Sequence, residues 1–149
     1  MSAVNANLSF APVLIVAGPT ASGKSALALD MAEAFDGVVI NADSMQVYSE
    51  LRVLSARPDE RETSRAPHRL YGVLSGREAC SAGKWRDMAM AEINDCHAQG
   101  KLPIVTGGTG MYLNALTEGI APIPDVPSRI RDSVTAELED IGHAAFFEK

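Results

Sequence analysis

Short apolar runs alternate along this chain with longer segments of helical spacing, and the runs end in glycines or polar turn residues. Val13-Leu-Ile-Val16 is a β-branched run entering a glycine turn, as expected of a buried parallel strand. Good helix formers follow from Lys24 to Phe35, with Leu27, Met31 and Ala34 on one face and Asp30 and Glu33 on the other. Val38-Val-Ile-Asn41 is a second apolar strand, one crossover away, and a strand-helix-strand unit of this size is expected to be right-handed. The stretch from Arg52 to Arg69 holds two prolines, many charges and little apolar periodicity, so an extended surface excursion outside the core is expected. Tyr71-Gly-Val-Leu74 is a candidate short strand.

From Ser81 to Gln99, Trp85, Met88, Ala89, Ile93 and Cys96 recur at helical spacing, with Ser81 able to cap the start and Gly100 to end the helix. Leu102–Thr106 is the next strand, with Pro103 tolerated near its start. A short helix from Met111 to Glu118 closes at Gly119. The proline-rich link over 120–127 leads to a helix from Ser128 to about Asp140, and a further helical start follows Gly142. No internal repeat is present. The pattern is α/β: a parallel sheet flanked by helices, with a loose extension over 1–11, a core over 12–121, and helical structure over 122–149. Phe146 and Phe147 are followed by two residues only, which reads as an interrupted chain.

Composition narrows the class. The 149 residues suffice for one domain, and a hydrophobic content of 46% is ordinary for a globular chain. The first eleven residues have no basic start and no long apolar run, so no signal peptide or membrane helix is expected there. Cys80 and Cys96 lack ligand spacing, which argues against a disulfide framework or zinc site and favours a reducing, cytoplasmic setting. Net charge is −6, but residues 52–86 carry eight basic side chains against four acids and are +4, leaving the remainder at −10. That window is either a solvated loop or a face for a polyanion.

The chemistry enters at Gly18-Pro19-Thr20-Ala21-Ser22-Gly23-Lys24-Ser25, a GxxxxGK[ST] signature between a strand and a helix. Glycines at 18 and 23 let backbone amides turn toward an anion, and the helix start adds its partial positive charge. Lys24 supplies a point charge, and the Ser25 hydroxyl suits Mg²⁺. An acid beyond the second strand, Asp43, lies at the same rim and is a candidate proton acceptor, or else a turn residue. Thr109, between glycines in the third loop, is a candidate donor to a departing diphosphate, or else a plain turn threonine.

Four segments together, GPTASGKS at 18–25, INADSMQVY at 40–48, APHRLYGV at 66–73 and IVTGGTGMYLNALTEG at 104–119, resemble the tRNA dimethylallyltransferase (isopentenyltransferase) family in order and spacing. The resemblance runs from about Val13 to Phe147. It implies a P-loop NTPase-like parallel sheet in which Gly18–Ser25 holds the diphosphate of dimethylallyl diphosphate, although the motif is commonly described as a nucleotide, or ATP, site. The prenyl group would then pass to the exocyclic amine of the adenosine beside the anticodon of a tRNA. It further implies Asp43 as general base, Ser44, Met45 and Gln46 as holders of the flipped base, Thr109 as a contact to the leaving diphosphate, and Arg131 as a second RNA contact. Family members are about twice this long, with a helical insertion beginning near the proline link, and a monomer is expected. The alternatives are a P-loop small-molecule or nucleotide kinase, a transferase acting on free adenylate, and a truncated module that binds phosphate or RNA without turnover.

Overall fold

A computed structural model describes residues 11–121 and 126–148. The expected extension, except Ala11, lies outside the described residues, as do positions 122–125 of the proline-rich link and Lys149. In chain order the elements are β1 (Leu14–Ala17), α1 (Lys24–Ala34), β2 (Gly37–Asn41), α2 (Glu60–Arg65), β3 (His68–Arg69), α3 (Ala82–Ala98), β4 (Leu102–Gly107), α4 (Gly110–Thr117) and α5 (Ser128–Phe147).

All pairings are parallel and the sheet order is β1-β4-β2-β3, so β4 is inserted between the two strands of the first strand-helix-strand unit. Every residue of β2 is buried, as a central parallel strand covered on both faces requires. Val39 turns to one face with Val16, Ile104 and the α1 residues Ala28, Leu29 and Ala32. Val38 and Ile40 turn to the other, with Trp85, Ala89, Ile93 and Cys96 of α3 and Tyr112 of α4. Pro103 is the second residue of β4, opposite Val38. Pairing with β1 begins one residue later, at Leu14 opposite Ile104, so proline's missing amide leaves no β1 ladder bond unmade at that level.

Three expectations are corrected. The buried face of α1 is Ala28, Leu29 and Ala32, whereas Leu27 and Ala34 face solvent. This helix is apolar nearly all round, so spacing alone does not select a face, and the small residues let it lie close on the sheet. The 52–69 stretch is not wholly an extended excursion. Asp59 and Glu62 form a reciprocal capping box, each side chain accepting from the other's backbone N–H at 2.9 Å, and this starts α2. Arg65 then ties α2 to Asp30 and Glu33 of α1 at 2.9 and 2.6 Å, and Ala66 is buried against that helix. Finally, the third strand is His68–Arg69. Tyr71–Leu74 is not a strand: it curls beneath the 46–49 loop, with Gly72 N–H donating to Gln46 O and Leu74 N–H to Val47 O.

Ser81 caps α3 by accepting from Lys84 N–H at 3.1 Å. The expected break near Gly142 occurs inside α5, where that residue takes φ 77 and ψ 162 between two helical pieces.

Candidate functional site

The loops after β1, β2 and β4 meet at the carboxyl rim of the sheet, and glycine permits their approach. A Cβ on Gly107 would lie 2.2 Å from the Ala42 carbonyl carbon and oxygen, and one on Gly108 would lie 3.2 Å from Gly18 O. Hydrogen bonds then lock the loops after β2 and β4 to each other. Ala42 N–H donates to Thr106 O at 2.7 Å, Thr109 N–H to Ala42 O at 3.3 Å, and Ser44 N–H to Thr109 Oγ1 at 2.9 Å. Thr109 also starts α4. Its hydroxyl is an acceptor in this arrangement, which keeps its own proton available for donation.

In the first loop Ala21 and Gly23 take positive φ, 61° and 82°, so the chain turns sharply into α1. No side chain caps α1 and no acid sits in its first turn, which leaves its leading amides and positive dipole end for an external anion. Lys24 Nζ folds back along the loop to Pro19 O at 3.0 Å. In the second loop Asp43 is half-buried, and its Oδ1 accepts from Met45 N–H at 2.8 Å and Gln46 N–H at 3.3 Å. No described residue donates to Oδ2, so one oxygen is anchored and the other is left with its lone pairs.

Between the loops lies a polar cleft of about 160 Å³ lined by Thr20, Lys24, Ser25, Asp43, Gln46, Tyr71, Thr106 and Gly107, among others. Larger grooves elsewhere are apolar, border the Pro12 end of the chain, or lie among the charged side chains of α2, and they are away from these loops. The structure thus brings together Thr20, Ala21, Lys24, Ser25, Asp43 and Gln46. Gly18, Pro19, Ser22 and Gly23 complete the first loop behind them, and Ser44, Met45 and Thr109 border the cleft without lining it. Arg131 is exposed on α5 and lies outside the lining.

Tyr71 and Thr106 are lining residues that sequence reasoning did not single out. Tyr71 was read as the start of a strand, yet its ring packs edge-on to His68, with centroids 5.5 Å apart and planes at 62°. Burial pushes its phenol well above the usual tyrosine range, with the charges of Asp43 and Glu62 adding to the effect, so it faces the cleft as a neutral hydroxyl.

The positive window resolves into local pairs. Arg69 meets Glu92 at 3.4 Å, Lys84 meets Glu78 at 3.1 Å, Arg65 is held by α1, and Arg57 donates to Tyr48 O. Arg52, Arg61 and Arg77 have no ion-pair partner among the described residues. Among the described residues no group of three or more metal-ligating side chains occurs, and no helix is long and apolar enough to cross a membrane.

A family model described as IPP transferase matches residues 46–149. The tRNA dimethylallyltransferases of Rhodospirillum rubrum and Rhodospirillum centenum are 53% and 54% identical over 93% and 90% of this chain. Each match covers 43% of the relative, so the chain spans less than half the length of these proteins. Among solved structures, a full-length tRNA isopentenylpyrophosphate transferase from Bacillus halodurans superposes with a TM-score of 0.73 at 30% identity, covering 89% of this chain and 44% of that one. A eukaryotic dimethylallyltransferase acting on tRNA superposes with a TM-score of 0.74 at 32% identity, covering 82% and 31%.

Proposed function

This chain belongs to the IPP transferase family, and from that premise we propose that its cleft moves a dimethylallyl group from dimethylallyl diphosphate to N6 of the adenosine beside a tRNA anticodon. One observation carries the reading. A cationic, amide-rich loop and a carboxylate with one uncommitted oxygen line the same small polar cleft. A diphosphate needs the first, and an amine that loses a proton as it attacks needs the second.

The step balances with the groups present. The N6 lone pair forms the new bond to C1 of the dimethylallyl group while the C1–O bond breaks, and its electron pair leaves with the diphosphate. Asp43 Oδ2 takes the amine proton. Lys24 and the leading amides of α1 meet the charge that grows on the departing oxygen, and the Thr109 hydroxyl donates to the same group. Ser44, Met45 and Gln46 hold the extruded base, which must leave its stack for its exocyclic amine to be reached. Arg52, Arg61 and Arg77, with Arg131 on α5, supply contacts to RNA phosphates.

The donors also fit Mg²⁺. Ser25 Oγ, within the cleft, is a hard oxygen donor that would hold the cation beside phosphate oxygens and water. When bound, Mg²⁺ supplies positive charge that stabilises the leaving diphosphate. The separate, free thiols of Cys80 and Cys96 support a reducing, cytoplasmic setting.

The test is transfer of label from dimethylallyl diphosphate to an anticodon stem-loop by the longest native protein containing this chain. RNA labelling that requires an adenosine at the target position is the expected result. Absence of labelling by a folded protein, or phosphate transfer from ATP to a small acceptor without RNA, overturns the reading.

A further inference from the structure

Asn41 ends β2 and is fully buried, yet the proposed chemistry gives it no task. Its side chain makes three hydrogen bonds. Oδ1 accepts from Asp43 N–H at 2.9 Å, while Nδ2 donates to Asp43 O at 3.0 Å and to Leu70 O at 3.1 Å. Its backbone carbonyl accepts from Trp85 Nε1 at 2.9 Å, which fastens the end of β2 to α3.

The arrangement is selective. Asp43 is gripped at its backbone N–H and its backbone carbonyl, on both sides of the Cα from which the carboxylate projects, and the carboxylate itself is left alone. The second Asn41 donor reaches across to Leu70, which takes a left-handed φ of 61° immediately before Tyr71. One rigid amide therefore joins the two cleft walls that carry Asp43 and Tyr71. An amide supplies both an acceptor and two donors from one plane, and a buried amide with its partners met resists distortion.

We propose that Asn41 is a positioning residue, setting where Asp43 Oδ2 stands relative to the Tyr71 wall. It acts on the proton-transfer step through Asp43 and has no part in holding diphosphate. This rests on the reading of Asp43 as the base.

In the full-length protein, Asn41→Ala is expected to lower kcat by about 10- to 100-fold, because small displacements of a catalytic group are that costly. KM for dimethylallyl diphosphate and Kd for inorganic diphosphate stay within about twofold. Asn41→Ser recovers part of kcat, since a hydroxyl closes the same kind of turn onto the Asp43 N–H. It carries the same kcat-against-KM comparison if the alanine variant does not fold. An unchanged kcat in the folded variant, or a loss of kcat matched by an equal loss of diphosphate affinity, overturns the proposal. So does a further multiplicative loss when Asn41→Ala is added to Asp43→Asn, because a residue acting through Asp43 has nothing left to act on. Wild-type transfer by Asp43→Asn alone instead removes the base assignment, independently of Asn41.

Discussion

At the carboxyl rim of the sheet, the loops after β2 and β4 hold each other by hydrogen bonds, and glycines at 107 and 108 let the β4 loop lie close against the loops after β2 and β1. Along α5, from Ser128 to Phe147, no residue is buried and Gly142 breaks the helix toward its C-terminal end. The rim is over-determined: moving Asp43 means breaking bonds to Asn41, Met45 and Gln46 together. The arm draws little from packing within the described chain, so its placement depends on whatever it meets. On the proposed function, groups that must act at a fixed distance sit in the first region, and Arg131, proposed for affinity alone, sits in the second.

The sharpest way to break that contrast lies in the rim. Asp43→Ala should lower single-turnover transfer by about 10²- to 10⁴-fold with diphosphate binding largely intact, while Lys24→Ala should weaken diphosphate binding itself. Titration with inorganic diphosphate beside the transfer assay separates the two, and loss of ligand affinity alone in both variants would cancel the base assignment. Gly107→Ala comes next. Its methyl has no space beside Ala42, so an overpacking cost of about 1–3 kcal/mol is expected, read as a lower urea midpoint together with reduced transfer.

A smaller effect comes from the cleft phenol. Burial raises the Tyr71 pKa above its ordinary 10.0 in the folded state, so its contribution is fully present below about pH 10 and is lost as pH rises toward the folded value. The slope is at most about 1.4 kcal/mol per pH unit for one phenol. Urea titrations from pH 9 to 11 should show it, and Tyr71→Phe should reduce it while Tyr112, whose phenol is also raised by burial, keeps its own share. The smallest effect belongs to the arm. Arg131→Ala should change stability by less than about 0.5 kcal/mol, weaken RNA binding a few-fold, and reduce the salt dependence by about one counterion.

The contrast also explains what was legible in the sequence. The core strands β1, β2 and β4 and the glycine loop between β1 and α1 read to within a residue, because β-branched runs and a glycine signature are local, whereas the third strand was misplaced. The core helices read well too, Ser81 capping α3 as expected. The α1 face did not, because Leu27 and Leu29 are equivalent in pattern and only the sheet chooses between them. The Asp59–Glu62 box was a readable signal hidden by the surrounding charge. Tyr71 escaped for a different reason. Its place in the cleft follows from long-range bonds between Leu70 and Asn41 and between Gly72 and Gln46, which no local window contains. The charge excess over 52–86 was correct as a count, but its partners Asp30, Glu33 and Glu92 lie outside that window, so only contacts reveal how much is cancelled.

Trp85 is the only tryptophan in the sequence, is wholly buried, stacks on Tyr112 at 4.6 Å, and donates to the carbonyl of Asn41. The indole is thus a built-in optical probe wired to the residue two before Asp43. In this chain, emission excited at the red edge of absorption reports on that one indole without added label, and a shift on mixing with diphosphate or RNA would register a change at the rim.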